Sequence, residues 1–245
     1  MSMKLSIDSK NPAEVFGKKV YDLLVENFPQ TFYVGGFVRD KLLGKKVTDI
    51  DIATSAKPAE VVLLLDAAGL KHDDAGKNFG VIKVFYKKHS VEIATFRTER
   101  YSGSRYPKVA FAKSPREDAK RRDFSINALY FKANRPKIYD FHGGLKDLKN
   151  KKIRFIGPAE NRIKQDPLRL VRALRFCLVL GCRMENKSWS AVKRGFKLLE
   201  NVSRKKLDAE IKKLTAPKKR QLLKKIIFGE KTLDKLSEKF YDNFK

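Results

Sequence analysis

The hydrophobic pattern of the first 145 residues alternates between the helical period and the strand period. Residues 12–28 carry apolar side chains at helical spacing, which predicts an amphipathic helix. The apolar run 31–34 and the strict alternation over 47–54 each predict a strand. Segments 80–86 and 90–96 read as the two strands of an antiparallel hairpin. This part of the chain therefore predicts an α+β fold.

Glycine, proline and polar clusters divide the remaining sequence. Gly35-Gly36 ends the first strand and precedes a helix that closes at Gly44. Further predictions are a helix over 57–70, a loop over 101–116, a helix beginning at 118, a strand over 136–141, and helices over 159–180, 187–200, 203–214 and 217–228. We therefore expect an α+β head, residues 1–145, followed by an all-helical neck, residues 146–245.

The net charge of the chain indicates a polyanionic partner. The chain has 55 lysines plus arginines against 28 acidic residues, a formal charge of +27. Residues 151–245 hold 27 of the basic and 10 of the acidic residues. Such an excess is self-repulsive unless a polyanion binds it, and nucleic acid is the commonest polyanion. Charge alone names neither the nucleic acid nor the activity.

Composition excludes several other classes of protein. No apolar run approaches the length of a membrane span, and the first residues lack the apolar core of a signal peptide. Two cysteines, Cys177 and Cys182, and three scattered histidines are too few for a disulfide framework or a zinc cluster. We therefore expect a cytoplasmic protein with no membrane partner, and the sequence indicates no obligate protein partner.

Asp49 and Asp51 are the sharpest chemical signal in the sequence. In a strand, positions i and i+2 point to one face, so these carboxylates are predicted to lie side by side. Adjacent carboxylates repel each other unless a cation or a proton shields them. Hard oxygen ligands with no histidine or cysteine nearby suit Mg²⁺. Taken alone, however, an Asp-x-Asp pair is more often an exposed pair or a cap.

Two neighbouring features strengthen the metal hypothesis. Gly35-Gly36, between a strand and a helix, would let backbone N–H groups approach a phosphate, although an ordinary tight turn has the same sequence. Glu92 would bring a third carboxylate to the site, or would be an exposed strand residue between apolar Val91 and Ile93. Together these features form the layout for two-metal phosphoryl transfer, with one ion activating a 3′-hydroxyl and the other stabilising pyrophosphate.

Four segments follow one another in an order that is specific. They are GGFVRDKLLGKKVTDIDIAT (35–54), VEIATFRTER (91–100), EDAKRRDFSINAL (117–129) and QDPLRLVRALRF (165–176), with VSRKKLDAEIKKL (202–214) after them. This series resembles the motifs of the class II tRNA nucleotidyltransferases, the CCA-adding enzymes and the related bacterial poly(A) polymerases. The resemblance covers residues 31 to about 214. It implies a polymerase β-like nucleotidyltransferase head, with a mixed β-sheet and helices, before the helical neck.

The resemblance implies a role for each matching residue. Asp49 and Asp51 match the metal-binding carboxylates, and Glu92 matches a third catalytic carboxylate. Nucleotide binding is implied for Gly35, Gly36 and Arg39 at the phosphates, for Arg122, Asp123 and Asn127 at the ribose and triphosphate, and for Asp166, Arg169, Arg172 and Arg175 in the base-selecting block. The implied cofactor is Mg²⁺, as two ions. The implied substrates are CTP, ATP and tRNA.

Base selection by Asp166 and Arg169 also has a physical rationale. At i and i+3, the two residues are predicted to share one helix face. Cytosine and adenine both present an amino donor beside a ring-nitrogen acceptor, so a carboxylate and a guanidinium can pair with either base. Uracil and guanine present the reversed pattern and would leave both groups unpaired. Without the other motifs, a solvated basic helix would be the preferred interpretation.

The sequence departs from the family pattern in three places. Gln165 stands where the family usually has glutamate, and an amide holds an arginine more weakly than a carboxylate does. The segment 101–116, which in the family helps to switch from C to A addition, looks slightly short. The chain stops at residue 245, where relatives continue with further helices, so it is expected to be either a compact form or a truncated one. In a compact form, helices 204–228 would hold RNA electrostatically.

The predicted function is template-independent, Mg²⁺-dependent addition of CMP and AMP to the tRNA 3′ end, with release of pyrophosphate. The alternatives with the same chemistry are a poly(A) polymerase and a specialist that adds only CC or only A. A non-catalytic RNA-binding relative is a further alternative, although a decayed enzyme would have no reason to keep all of the motif residues. A nucleotidyltransferase acting on small molecules would not explain the basic second half.

Overall fold

The computed structural model describes residues 5–101 and 107–229 of the chain. These residues form two units, which divide at Leu145. Of the described residues, the first contains those up to Arg122 and Ile126–Leu145, and the second contains Asp123–Ser125 and those from Lys146 onward. Within the described ranges, no helix combines the length and the apolar content needed to cross a membrane.

A mixed seven-stranded sheet organises the first unit. The strands of this unit are β1 (Thr31–Val34), β2 (Ile50–Thr54), β3 (His72–Asp73), β4 (Val81–Tyr86), β5 (His89–Thr95), β6 (Arg97–Arg100), β7 (Lys108–Phe111), β8 (Leu129–Lys132) and β9 (Lys137–Asp140). The order in the large sheet is β3-β4-β5-β2-β1-β8-β9, and β6 and β7 form a separate two-stranded ribbon. The central strand β2 runs parallel to β5 and antiparallel to β1, and its Asp51 lies opposite Glu92 of β5.

The helices of the first unit pack against strands of the sheet and of the ribbon. The helices of this unit are α1 (Pro12–Asn27), α2 (Gly35–Leu42), α3 (Pro58–Ala67) and α4 (Pro115–Arg121), and α5 (Gly144–Lys149) contains the point of division. Asn11 caps α1, because its side chain accepts a hydrogen bond from the N–H of Ala13. A Cβ at Gly17 would lie 2.5 Å from Ile50 Cδ1, so the absence of a side chain lets α1 lie directly on β2. Ile50 and Ile52 are therefore buried on the side of α1.

The second unit is mainly helical. Its helices are α6 (Ala159–Gln165), α7 (Leu168–Leu180), α8 (Asn186–Gly195), α9 (Arg204–Lys212) and α10 (Pro217–Phe228), with a 3₁₀ segment at Phe196–Asn201. The prediction that this half is entirely helical is wrong in one detail. Lys152–Ile153 (β10) and Arg183–Met184 (β11) form a short parallel pair. Strands of two residues are too short to show an alternating pattern in the sequence.

The strands predicted over 31–34, 80–86 and 90–96 are confirmed, but other boundaries differ from the predictions. Strand β2 begins at Ile50, later than predicted, because the carbonyl of Val47 accepts from the Asn11 side chain instead of joining a ladder. The predicted loop 101–116 contains β7, and α4 starts within it. The exposed ribbon of β7 shows no alternation, and Ser114 caps α4 by accepting from the N–H of Arg116. Residues 102–106 of that predicted loop lie outside the described residues.

Candidate active site

The two glycines bring the beginning of α2 against charged side chains. Gly35 has φ +67°, a conformation that side chains other than glycine rarely adopt. A Cβ at Gly35 would lie 3.2 Å from Arg122 Nη1 and 3.5 Å from Asp51 Oδ2. At Gly36 a Cβ would lie 3.7 Å from Arg39 Nη2 and 3.9 Å from the same Asp51 oxygen. Backbone N–H groups at the start of α2 thus lie beside one carboxylate and two guanidinium groups, which is an arrangement suited to a phosphate.

Asp51 lies in a cluster of negative charge. It is directly opposite Glu92 in the parallel register of β2 and β5, so the two side chains share one face of the sheet. Burial and the charge of Glu92, with a smaller effect from Asp49, raise the pKa of Asp51 to about 6 against the pull of Arg122 and Arg39. Asp49 is exposed and lies one residue before β2. The structure therefore places the three predicted carboxylates at the same region of the first unit.

The donor chemistry of this region fits a hard divalent cation. Burial first, and then the charge of Glu92, raise the pKa of Asp51, and a bound cation would offset both effects. Among the described residues there is no group of three or more acidic, histidine or cysteine side chains already assembled around a metal position. Mg²⁺ binds proteins mostly through one or two carboxylates and completes its shell with water and substrate phosphates. Asp49 and Asp51 are the residues that would hold it.

Arg39 is held in place by two neighbours. Its Nε and Nη2 donate to the two carboxylate oxygens of Asp40 at 2.9 and 2.6 Å, and its Nη1 donates to Asn127 Oδ1 at 2.5 Å. The side chain is buried, so its orientation is fixed on the last turns of α2. Of the residues predicted to bind the nucleotide, Gly36, Arg39 and Asn127 are therefore brought together within the first unit.

Arg122 depends on two residues that sequence analysis missed. Its guanidinium donates to Asp118 Oδ2 from Nη2 at 3.1 Å and to the Tyr130 hydroxyl from Nε at 2.9 Å, and Nη1 donates to the carbonyl of Asn127. Tyr130 in turn donates to Asp118 at 2.6 Å. The signal for Asp118 was its position four residues before Arg122, where a helix brings the two together. Tyr130 gave no comparable signal, because it reads as an apolar residue of β8.

The Asp118 network predicts a large effect on stability. Burial alone would raise the pKa of Asp118, but Arg122, Arg121 and Tyr130 outweigh it and lower the pKa to about 2. Asp118→Asn should decrease the free energy of unfolding at pH 7 by about 3 kcal/mol, because two guanidinium groups lose a buried partner. The contribution is present above the ordinary carboxyl pKa and is lost as the pH falls from about 4 to 2. Urea denaturation across pH 2–7 measures it, with Asp66→Asn on the exposed side of α3 as the control. Equal stability of the two variants would contradict the network.

In the second unit, Gln165 holds Arg169. Its Oε1 accepts from Nη1 of both Arg162 and Arg169 at 3.0 Å, and Arg169 Nη1 also donates to the carbonyl of Arg162 at 3.1 Å. Arg169 is buried. The amide thus performs the anchoring expected of the usual glutamate, as a neutral acceptor shared by two guanidinium groups.

The prediction that Asp166 and Arg169 share one helix face is wrong. Pro167 interrupts the predicted helix 159–180, and the residue before a proline is disfavoured in the α conformation. Asp166 accordingly has φ −149° and ψ 101° and lies between α6 and α7. Its Oδ1 accepts from the N–H of Leu168 at 3.2 Å, so it caps α7, whereas Arg169 lies in the first turn. The two residues are adjacent at a helix start and are not stacked along a helix.

The other predicted residues of this unit form ion pairs. Asp123 Oδ2 lies 2.6 Å from Arg172 Nη2 in an ion pair, which links residues 123–125 to α7. Arg175 Nε donates to Glu210 of α9 at 3.1 Å, and both side chains are largely shielded from solvent. Asp123 therefore belongs to the second unit, although Arg122 and Asn127 belong to the first.

Comparison with known proteins identifies the family. A sequence profile described as "Poly A polymerase head domain" matches residues 31–154, half of the chain. The chain belongs to the poly A polymerase head domain family. The predicted fold class, a polymerase β-like head, is thereby confirmed.

Relatives of known name extend the likeness beyond the head. The chain is 39% identical to the CCA-adding enzyme of Lactococcus lactis over 211 residues, 84% of this chain and 52% of the relative. It is 39% identical to the CCA-adding enzyme of Bacillus subtilis over 197 residues, 80% and 48% of the two chains. The chain thus spans about half the length of the curated relatives that it matches.

Solved structures of two family members are similar in fold. The Bacillus stearothermophilus CCA-adding enzyme in complex with CTP has a TM-score of 0.73 and 34% identity, covering 83% of this chain and 48% of its own. A tRNA nucleotidyltransferase complexed with a primer tRNA and an incoming ATP analogue has a TM-score of 0.68 and 30% identity, covering 91% of this chain and 66% of its own.

Proposed function

We propose that this chain catalyses template-independent addition of CMP and AMP to the 3′ end of tRNA, with release of pyrophosphate. The observation that carries the proposal is the approach of Gly35 and Gly36 at the start of α2 to Asp51, Arg39 and Arg122. Similarity to CCA-adding enzymes that cover most of the chain supports the choice of tRNA as the acceptor. A protein that acts on tRNA in this way is expected in the cytoplasm.

Each residue of the first unit has a chemical role in the proposal. The N–H groups at the start of α2 bind the triphosphate, and the guanidinium groups of Arg39 and Arg122 balance its negative charge. Asp40, Asp118 and Tyr130 are positioning residues, because they fix these guanidinium groups through hydrogen bonds. Asn127 orients Arg39 and presents its backbone carbonyl to Arg122.

Asp49 and Asp51 would hold Mg²⁺, and Glu92 lies beside them. When bound, Mg²⁺ would lower the pKa of the attacking 3′-hydroxyl and neutralise charge on the leaving pyrophosphate. Asp51 must be ionised for this role, so its raised pKa predicts loss of cation affinity below about pH 6. The resemblance to the family implies two ions, one for the attacking hydroxyl and one for the leaving pyrophosphate.

Selection of the incoming base is assigned to the second unit. Arg169 donates to the ring nitrogen of cytosine or adenine, and Asp166 accepts from the exocyclic amino group. Gln165 and Arg162 hold Arg169 for this purpose. Arg172 forms an ion pair with Asp123, and Arg175 forms one with Glu210. These ion pairs favour a positioning role for both arginines. The lysine-rich helices α9 and α10 would hold RNA electrostatically.

Incorporation assays test the proposal directly. The 245-residue protein is given Mg²⁺ and tRNA ending before CCA, in C or in CC. Each substrate receives CTP, ATP, UTP or GTP singly, or CTP with ATP, and products are resolved at single-nucleotide resolution. The expected result is C and A addition that stops after CCA, with no use of UTP or GTP. Binding of tRNA without incorporation would contradict the proposal and favour an RNA-binding relative.

A second candidate is a poly(A) polymerase, since the matching profile carries that name. The same assay separates the two, because long A tails on every substrate would identify a poly(A) polymerase. Addition that stops at CC, or that adds only A to a CC end, would identify a specialist.

A further inference from the structure

Eight lysines line two adjoining grooves of the first unit, away from the residues that would bind the nucleotide. Lys41 is paired with Glu14, and the other seven are exposed. The larger groove, of about 1110 Å³, lies between α1, the end of α3 and the β4–β5 turn, and carries Lys10, Lys19, Lys71 and Lys87. The smaller, of about 740 Å³, carries Lys45, Lys46 and Lys88 and shares Lys10 and Pro12 with the first. We call this continuous surface the lysine groove.

The positive charge of the lysine groove is not neutralised internally. All seven lysines are exposed, and none of them forms an ion pair with a carboxylate in the described part of the chain. Acidic residues that line the groove there are Asp8 and Glu14. Glu14 is buried and is already paired with Lys41 at 2.8 Å. Seven unpaired ammonium groups on one surface repel one another and favour a polyanionic ligand.

The smaller part of the groove lies beside the start of β2, the strand that carries Asp51. Lys45, Lys46 and Thr48 line this part and directly precede Asp49 in the chain. Asp51 and Glu92 point to the other face of the sheet, so an RNA whose 3′ end reaches Asp51 would contact these lysines with nucleotides further from that end. Lysine presents a compact charge that contacts phosphates without regard to the base. Half-exposed Tyr86 and Val15 in the larger part offer apolar surface to riboses and bases.

We propose that the lysine groove binds the sugar–phosphate backbone of the RNA acceptor. The proposal rests on the proposed function for the identity of the RNA, and it adds a contact surface on the head to the basic helices of the second unit. An acidic protein segment also complements lysines, but the proposed function already makes RNA the polyanion that this unit must contact. The contact is electrostatic, so its strength falls with salt.

Salt-dependent binding of tRNA lacking CCA tests the groove without nucleotide or Mg²⁺. The triple variant Lys10→Ala, Lys71→Ala and Lys87→Ala should bind about 10-fold more weakly near 100 mM salt, and the slope of log Kd against log salt should fall by about two. The matched control is the triple variant Lys57→Ala, Lys120→Ala and Lys137→Ala, which removes the same charge from exposed positions outside the groove. Equal affinity and slope for the two triple variants would overturn the proposal.

Lysine acetylation of the unmodified protein gives an answer that does not depend on how the variants fold. Bound tRNA should protect Lys45, Lys71, Lys87 and Lys88 from acetylation, and Lys57 and Lys137 should stay reactive. Protection by poly-glutamate but not by tRNA would overturn the proposal in favour of an acidic protein partner. Incorporation is measured separately. Protection without incorporation would contradict only the proposed function. Incorporation without protection would contradict only the proposal that the lysine groove binds RNA.

Discussion

Asp51→Asn is expected to reduce nucleotide incorporation by on the order of 10³-fold, about 4 kcal/mol of transition-state stabilisation. The side chain of Asp51 lies against the start of α2, because a Cβ at Gly35 or Gly36 would be within 4 Å of its Oδ2. It also interacts with the charge of Arg122. Asparagine keeps the shape of the side chain but removes the negative charge that a divalent cation needs. Single-turnover incorporation of CMP into tRNA lacking CCA measures the loss. Binding of the tRNA at high salt should change less than about 2-fold, because salt screens the effect of a single charge on RNA affinity.

The same substitution should make the metal-free protein more stable. The folded-state pKa of Asp51 is raised to about 6, so its ionisation opposes folding as the pH rises from about 4 to 6. Asp51→Asn removes this penalty and should increase the free energy of unfolding at pH 7.5 by about 2 kcal/mol in the presence of EDTA. The advantage should disappear near pH 4, where Asp51 is protonated in the folded state and the penalty is no longer present.

Asp66→Asn is the control for both measurements, because Asp66 is an exposed carboxylate of α3 paired with His72. It should leave incorporation and stability nearly unchanged. Retention of activity by Asp51→Asn would remove the metal assignment. Loss of activity together with lower stability would show that Asp51 acts in folding and not in cation binding.

The sequence predicted the parts of the first unit that depend on local pattern. Alternation located β2 and β5, and the glycines located the start of α2, since each signal lies within a few consecutive residues. The approach of Asp51 to Glu92 needs the parallel register of two strands that are far apart in sequence, which no periodicity encodes. The resemblance to a family supplied that pairing, and the strand register accounts for it.

Other features could not be predicted from the sequence pattern because they depend on tertiary contacts. Tyr130 looks like an ordinary strand residue until β8 places its hydroxyl against Asp118 and Arg122. The break before α7 was visible in Pro167, but apolar periodicity on both sides of it outweighed that signal in the prediction of one long helix. Asp166 consequently acts as a cap where a helix-face residue was predicted.

Arg169→Ala is expected to relax base choice more than any other substitution in the second unit. The ratio of CMP to UMP incorporation should fall about 10- to 100-fold, the equivalent of about 1–3 kcal/mol for a base pairing that loses one of its two partners. Removal of the guanidinium leaves no donor for the ring nitrogen that distinguishes cytosine from uracil. Competition between CTP and UTP on tRNA lacking CCA gives the ratio. Binding of the tRNA should be almost unaffected.

Substitutions of Gln165 distinguish a base-selecting role of Arg169 from a purely structural role. Gln165→Ala keeps the guanidinium but removes the acceptor that it shares with Arg162 at 3.0 Å, so base choice should relax by a smaller factor, about 3- to 10-fold. Gln165→Glu restores a stronger, charged acceptor and should sharpen the choice of base relative to the natural chain. Arg194→Ala, an exposed arginine of α8 paired with Glu160, is the control and should leave the ratio unchanged. If Arg169→Ala slows all four nucleotides equally, and Gln165→Glu has no effect on the ratio, then this arginine supports the fold and base selection lies elsewhere.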